Sequence, residues 1–138
     1  MGLRRDTTTM HSTEMEARTP PHAIGERIEE TTNGNGGYDH CYMVRGGGKG
    51  ELVPVAKVVE STTGRVLEIS TTEPGVQLYT GNYLAGTAET GNAPKQGAFC
   101  LETQHLPDSP NRPEFPSTVL RPGETYRQTT VHKFSVAK

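Results

Sequence analysis

Three polar side chains stand where acid–base or hydroxyl-binding chemistry would use them: Glu102, Asp39 and Gln77. Glu102 lies inside the run AFCLETQ at residues 98–104, whose pattern reads as a strand. Alternation then sends Phe99, Leu101 and Thr103 to one face, and Ala98, Cys100, Glu102 and Gln104 to the other. The first face suits a core. The second, with small residues flanking a carboxylate and an amide, suits the floor of a polar cleft. A mid-strand Glu on such a face is either a solvated surface charge or a site residue, and pattern alone favours the surface charge. Asp39 follows a glycine-rich turn, where an aspartate usually satisfies the local backbone. Its carboxylate also has enough lone pairs to accept from two ligand hydroxyls. Gln77, between Val76 and Leu78, is an ordinary strand amide or a hydroxyl partner.

Other chemistries find little support. The histidines are His11, His22, His40, His105 and His132, with no HExxH spacing and no CxxC, so a metal site is not expected. GxSxG, a P-loop and a helix-opening GxGxxG are missing, and GGGKG at 46–50 reads as a hairpin loop. Cys41 and Cys100, far apart and without a secretion signal, are expected to stay reduced. Lys plus Arg is 14 against 16 Asp plus Glu, a net charge of −2 that offers nothing to nucleic acid or a membrane surface. The first 20 residues lack an apolar signal-peptide core, and the Met1-Gly2 start has Asp6 where a myristoylation signal needs Ser or Thr. No apolar run approaches the ~18 residues of a membrane helix. A cytoplasmic, soluble protein is the expectation.

The elements that must position these residues are strands. Hydrophobic residues make up 31% of the chain, and Gly at 16 and Pro at 10 favour many turns over long helices. Residues 1–18 are polar and Thr-rich and read as a disordered lead-in; the domain proper is expected over 19–138. Ile24 and Ile28, four apart, suggest one short helix over 22–30, followed by a turn at NGNGG, 33–37. Strands are expected at 38–45 and 51–59, paired as a hairpin across 46–50, then at 65–71, 76–79, 98–104 and 126–136. The last should carry Tyr126, Phe134 and Val136 on one face. Residues 81–96 form a long loop, and the prolines of 106–116 preclude a regular element there. The class is all-β, a sandwich rather than a closed barrel.

Four stretches resemble one family in the same order: GYDHCY at 37–42, GRVLEISTTEPGVQLYTGNYL at 64–84, GAFCLETQHLPDSPNRPEFPS at 97–117 and LRPGETYRQTTVHKFSV at 120–136. They are similar to the C-terminal part of the aldose 1-epimerase (galactose mutarotase) family, over residues 19–137. The resemblance implies part of a large antiparallel β-sandwich with an open sugar cleft. It implies interconversion of the α and β anomers of aldohexoses such as galactose and glucose, without metal or organic cofactor. It makes Glu102 the general base, and Asp39 and Gln77 contacts to sugar hydroxyls.

The match also has a gap. The family's general-acid His lies well upstream of the YDH motif, and neither His11 nor His22 sits in a corresponding motif. The chain therefore reads as less than half of a full family member, truncated on its N-terminal side, with exposed edges and a face open to self-association. Full-length members are expected to be monomers. A non-catalytic carbohydrate-binding module that keeps Asp39 and Gln77 is the alternative, and a truncated product without a stable fold is a third.

Overall fold

The computed structural model describes residues 8–11, 22–31 and 36–137. Its regular elements are almost entirely strands: β1 (Thr8–His11), β2 (His22–Ala23), β3 (Asp39–Met43), β4 (Val53–Glu60), β5 (Arg65–Thr71), β6 (Gly75–Tyr79), β7 (Cys100–Gln104) and β8 (Thr130–Val136). Every pairing is antiparallel, in a five-stranded sheet ordered β2-β1-β4-β5-β8 and a three-stranded sheet ordered β3-β6-β7. The all-β expectation holds. Among the described residues no helix is long and apolar enough to cross a membrane.

The two sheets bury their apolar faces against each other. Ile69 of β5 and Val55 and Ala56 of β4 are buried, and Leu101 of β7 with Val44 just beyond β3 packs on them. The β4–β5 register shifts between Pro54 and Ala56. That bulge puts Ala56 and Val58 opposite Ile69 and Leu67, and lets Val55 also be buried. A seam of hydroxyls closes one end of the core. Thr130 of β8 lies 3.1 Å from Thr71 of β5 and 2.6 Å from Thr103 of β7, oxygen to oxygen, so one polar cluster joins both sheets.

A second cluster ties three connections together. Glu73, in the crossover from β5 to β6, is buried, and its Oε1 accepts from the Tyr126 hydroxyl at 2.5 Å. Its Oε2 lies 3.2 Å from His105 Nδ1, just beyond β7, without the alignment of a hydrogen bond. The His105 and Tyr126 rings lie 5.7 Å apart between centroids.

Several expectations are corrected. Strands 38–45 and 51–59 form, but not as a hairpin: β3 pairs with β6, and β4 pairs with β1 and β5. The glycine loop carries the chain from one sheet to the other, with Val44 N–H donating to the Pro74 carbonyl and Gly48 N–H to that of Thr72. Its glycines signal a reversal but do not choose the partner strand. Residues 22–30 form no α-helix; a short strand, a turn and a 3-10 turn at Ile28–Glu30 do the work, burying both Ile24 and Ile28. The four-residue spacing is met by consecutive turns as well as by a helix. β8 begins at Thr130, so Tyr126 precedes it and reaches Glu73 instead of sharing a strand face with Phe134 and Val136. Of the stretch read as a disordered lead-in, Thr8–His11 form a strand paired with β2 and β4, and the rest lies outside the described residues.

Candidate active site

The three-stranded sheet is two-faced. Val76 and Leu78 of β6 are buried toward the core with Leu101 of β7 beside them. The opposite face collects Asp39 and Cys41 from β3, Gln77 and Tyr79 from β6, and Cys100, Glu102 and Gln104 from β7, by strand alternation. Gln77 is the register partner of both Cys41 and Glu102, and Tyr79 that of both Asp39 and Cys100. Residues far apart in sequence thus form one contiguous polar patch.

Its hydrogen bonds run sideways across the strands. Gln77 Nε2 donates to Asp39 Oδ1 at 2.7 Å. The Cys100 thiol donates to Glu102 Oε1 at 3.0 Å, and Gln104 Nε2 lies 3.9 Å from Cys41 Sγ. Asp39 and Glu102 are exposed, whereas Cys41, Gln77, Tyr79, Cys100 and Gln104 are half-buried. Tyr79 Oη accepts from the Tyr83 N–H at 3.2 Å, which ties the patch to the 81–96 loop. Both cysteines are free thiols. Burial, then the bond to Glu102 and its charge together with that of Asp39, pushes the Cys100 thiol up to about 12; burial also raises Cys41. Cys100 is therefore a neutral S–H donor at neutral pH.

The backbone holding these groups is braced from behind. The start of β3 is fixed by a buried network in which Tyr38 N–H donates to Thr80 Oγ1 at 2.8 Å, the Thr80 hydroxyl donates to Asn82 Oδ1 at 2.7 Å, and Asn82 Nδ2 donates to the Tyr38 carbonyl at 3.0 Å. Asp39 is the next residue. Gly37 packs against this network at a φ of +108°, and a Cβ there would stand 2.0 Å from Asn82 Oδ1. Gly75 opens β6 under a similar constraint, because a Cβ would meet Cys41 Sγ at 3.0 Å and Leu106 Cδ2 at 3.0 Å.

The structure brings together all three residues singled out from sequence. Asp39, Gln77 and Glu102 share one face of adjoining strands. The histidines lie elsewhere. His40 alternates to the opposite side of β3 from Asp39, although its Nδ1 accepts from the Asp39 N–H at 3.0 Å. His105 meets Glu73, His22 pairs with Glu26 at 2.9 Å, and His132 sits on β8 opposite Ile69. Among the described residues no histidine belongs to the polar face. Sequence reasoning missed the Cys100–Glu102 bond and the Glu73–His105–Tyr126 cluster. Alternation already put Cys100 beside Glu102 on one face, which is signal enough to have asked; nothing local links Glu73 to Tyr126.

Fold and face together define an antiparallel β protein with two carboxylates on either side of an amide on an open sheet surface. Comparison with known families gives the particular group: the aldose 1-epimerase family matches residues 4–133, and the chain belongs to that family. It is 50% identical to galactose mutarotase of Homo sapiens over 104 residues, which is 73% of this chain and 30% of that protein. It is 44% identical to galactose mutarotase of Bos taurus over 120 residues, 85% of this chain and 34% of that protein. With aldose 1-epimerase of Escherichia coli (strain K12) identity is 42% over 103 residues, 71% of this chain and 29% of that protein. The chain spans about a third of the length of the curated relatives it matches.

Proposed function

We propose that this chain carries the base-bearing face of an aldose 1-epimerase, acting on the anomeric centre of an aldohexose such as galactose or glucose. One observation carries the reading: Glu102, Gln77 and Asp39 lie on one polar face of adjoining strands, with Gln77 bonded to Asp39 at 2.7 Å and in register with Glu102. That face offers a carboxylate for proton transfer beside an amide–carboxylate pair for hydroxyls.

Anomer interconversion needs a proton taken from the anomeric hydroxyl and one given to the ring oxygen. The C1–O5 bond then breaks, the C1–C2 bond rotates, and O5 adds back to the other face of C1. Glu102 is the group for the first transfer, since an exposed carboxylate can come within hydrogen-bond reach of O1. Gln77, with one of its two amide N–H donors committed to Asp39, presents its carbonyl oxygen to a sugar hydroxyl, and Asp39 has a second oxygen to offer. Delivery of the proton to O5 requires a group outside this face. The domain is taken as 19–138 together with the β1 strand. The two half-buried thiols suit a reducing, cytoplasmic compartment.

The test combines binding and turnover on the purified chain. Galactose titrated to millimolar concentration is expected to move the amide and side-chain NMR signals of Asp39, Gln77 and Glu102. Polarimetry starting from α-galactose is expected to exceed the buffer rate when a mutarotase-derived polypeptide bearing the acid is supplied, and to lose that excess in Glu102→Gln. Absence of any galactose response would overturn the reading. Binding with a rate equal to buffer under every condition would favour a non-catalytic carbohydrate-binding module, a reading prompted by the histidine-free face.

A further inference from the structure

Cys100 has no part in the scheme above, yet its thiol donates a hydrogen bond to Glu102. The two residues are i and i+2 on β7, so their side chains rise from the same face about 7 Å apart at the backbone. A thiol rotating toward its neighbour closes that gap, and the Sγ–Oε1 distance is 3.0 Å. The other ionisable groups of this face are Asp39 and Cys41 on β3 and Tyr79 on β6, with neutral Gln77 opposite Glu102 in the register. None of these is a cation, so among the described residues of this face the donor to the Glu102 carboxylate is a neutral hydrogen-bonding group.

We propose that the Cys100 thiol is a positioning residue for Glu102: its S–H engages Oε1, fixes the rotamer of the carboxylate over the sheet, and leaves Oε2 as the oxygen that receives a proton. Burial supports this role by keeping the thiol in its donor form, with its titration pushed up to about 12. A fixed rotamer gives direction to the reacting oxygen, which must meet one hydroxyl at hydrogen-bond distance. The catalytic meaning rests on Glu102 being the base. The bond itself does not, so the two can fail separately.

The experiment reads the Glu102 side-chain rotamer from NMR three-bond couplings, with the carbon-13 signal of its carboxyl, at neutral pH in the sugar-free chain, in the parent protein, Cys100→Ala and Cys100→Ser. Removing the donor is expected to move the couplings toward rotamer-averaged values and to displace the carboxyl signal, and Ser, which keeps a hydroxyl donor, is expected to return both most of the way. The reciprocal measurement is the alkylation rate of Cys100 near pH 9 in a Cys41→Ser background. Glu102→Gln should accelerate it several-fold, because removing the carboxylate charge eases thiolate formation. Unchanged Glu102 couplings and carboxyl signal in Cys100→Ala, or equal displacements in Ala and Ser, overturn the proposal. So does an alkylation rate indifferent to Glu102→Gln. These results stand whether or not galactose binds, so failure of the sugar reading and failure of the thiol proposal are told apart.

Discussion

Tyr126→Phe removes a single oxygen and should be felt across the molecule. That hydroxyl donates at 2.5 Å to Glu73 Oε1, and Glu73 is only 3% exposed. The other carboxylate oxygen, Oε2, already lacks a well-aligned donor, with His105 Nδ1 at 3.2 Å as its near neighbour. Phe keeps the ring against His105 and changes little apolar area, so the loss is that of the hydrogen bond and of solvation at a buried charge. A hydrogen bond to a charged group contributes roughly 1.5–3 kcal/mol. Tyr126 is 55% exposed, which lets water reach part of the gap, so the expected cost lies at the low end, about 1.5–2 kcal/mol. Urea denaturation followed by circular dichroism, at constant m, measures it. The same bond to Glu73 pushes the Tyr126 hydroxyl up to about 12 from its ordinary 10. A folded value above the unfolded one means that the stabilisation is full below pH 10 and is lost as pH climbs from about 10 toward 12. Cys100 titrates high as well, so the Tyr126 contribution is read as the difference between parent and variant across that window. A Phe variant within about 0.3 kcal/mol of the parent at neutral pH, with a parallel alkaline profile, would refute the claim that this bond holds the crossover in place.

Two further outcomes follow from the frame around the site. Gly37→Ala is expected to destabilise by more than about 1 kcal/mol, since φ is +108° and the new Cβ would press on Asn82 Oδ1; broadened or displaced amide signals at Tyr38 and Asp39 would show that the brace behind the site has shifted, and a fully stable variant with parent-like spectra would contradict the reasoning. Glu60 caps the turn before β5 by accepting from the Thr62 and Thr63 N–H groups at 2.8 and 2.9 Å and from the Thr63 hydroxyl, which holds its carboxyl down at about 2. Its contribution is present above the ordinary carboxylate range and disappears as pH falls toward 2; in Thr63→Ala the Glu60 midpoint, read by NMR, should move upward, and an unmoved midpoint would mean the cap does not form.

How much of this was legible in the chain varies with the range of the interaction. Alternation from 98 to 104 was enough to separate Leu101 and Thr103 from Cys100, Glu102 and Gln104, because side-chain direction in a strand depends only on neighbouring residues. Strand β5 matches its expected bounds, and the proline-rich stretch after β7 holds only a 3-10 turn at Ser109–Asn111, since ring closure and missing N–H donors are local facts. The four-residue spacing of Ile24 and Ile28 suggested a helix, but both are buried by a short strand and turns instead.

Pairing was beyond local reading. The glycines at 46–50 announced that the chain turns, and a hairpin was the nearest available partner; tertiary packing instead sent β3 to β6 and β4 to β1 and β5. The choice follows from burying both apolar faces at once, around Ile69, Ala56 and Leu101, which no local segment can evaluate. The same packing laid β6 between β3 and β7, and only then did Gln77 stand between Asp39 and Glu102. Sequence determined which residues the chain would turn outward and, through its ordered motifs, the family to which they belong. Tertiary structure decided that those residues meet and that a buried Glu73 joins three connections, because both depend on segments brought side by side from distant parts of the chain.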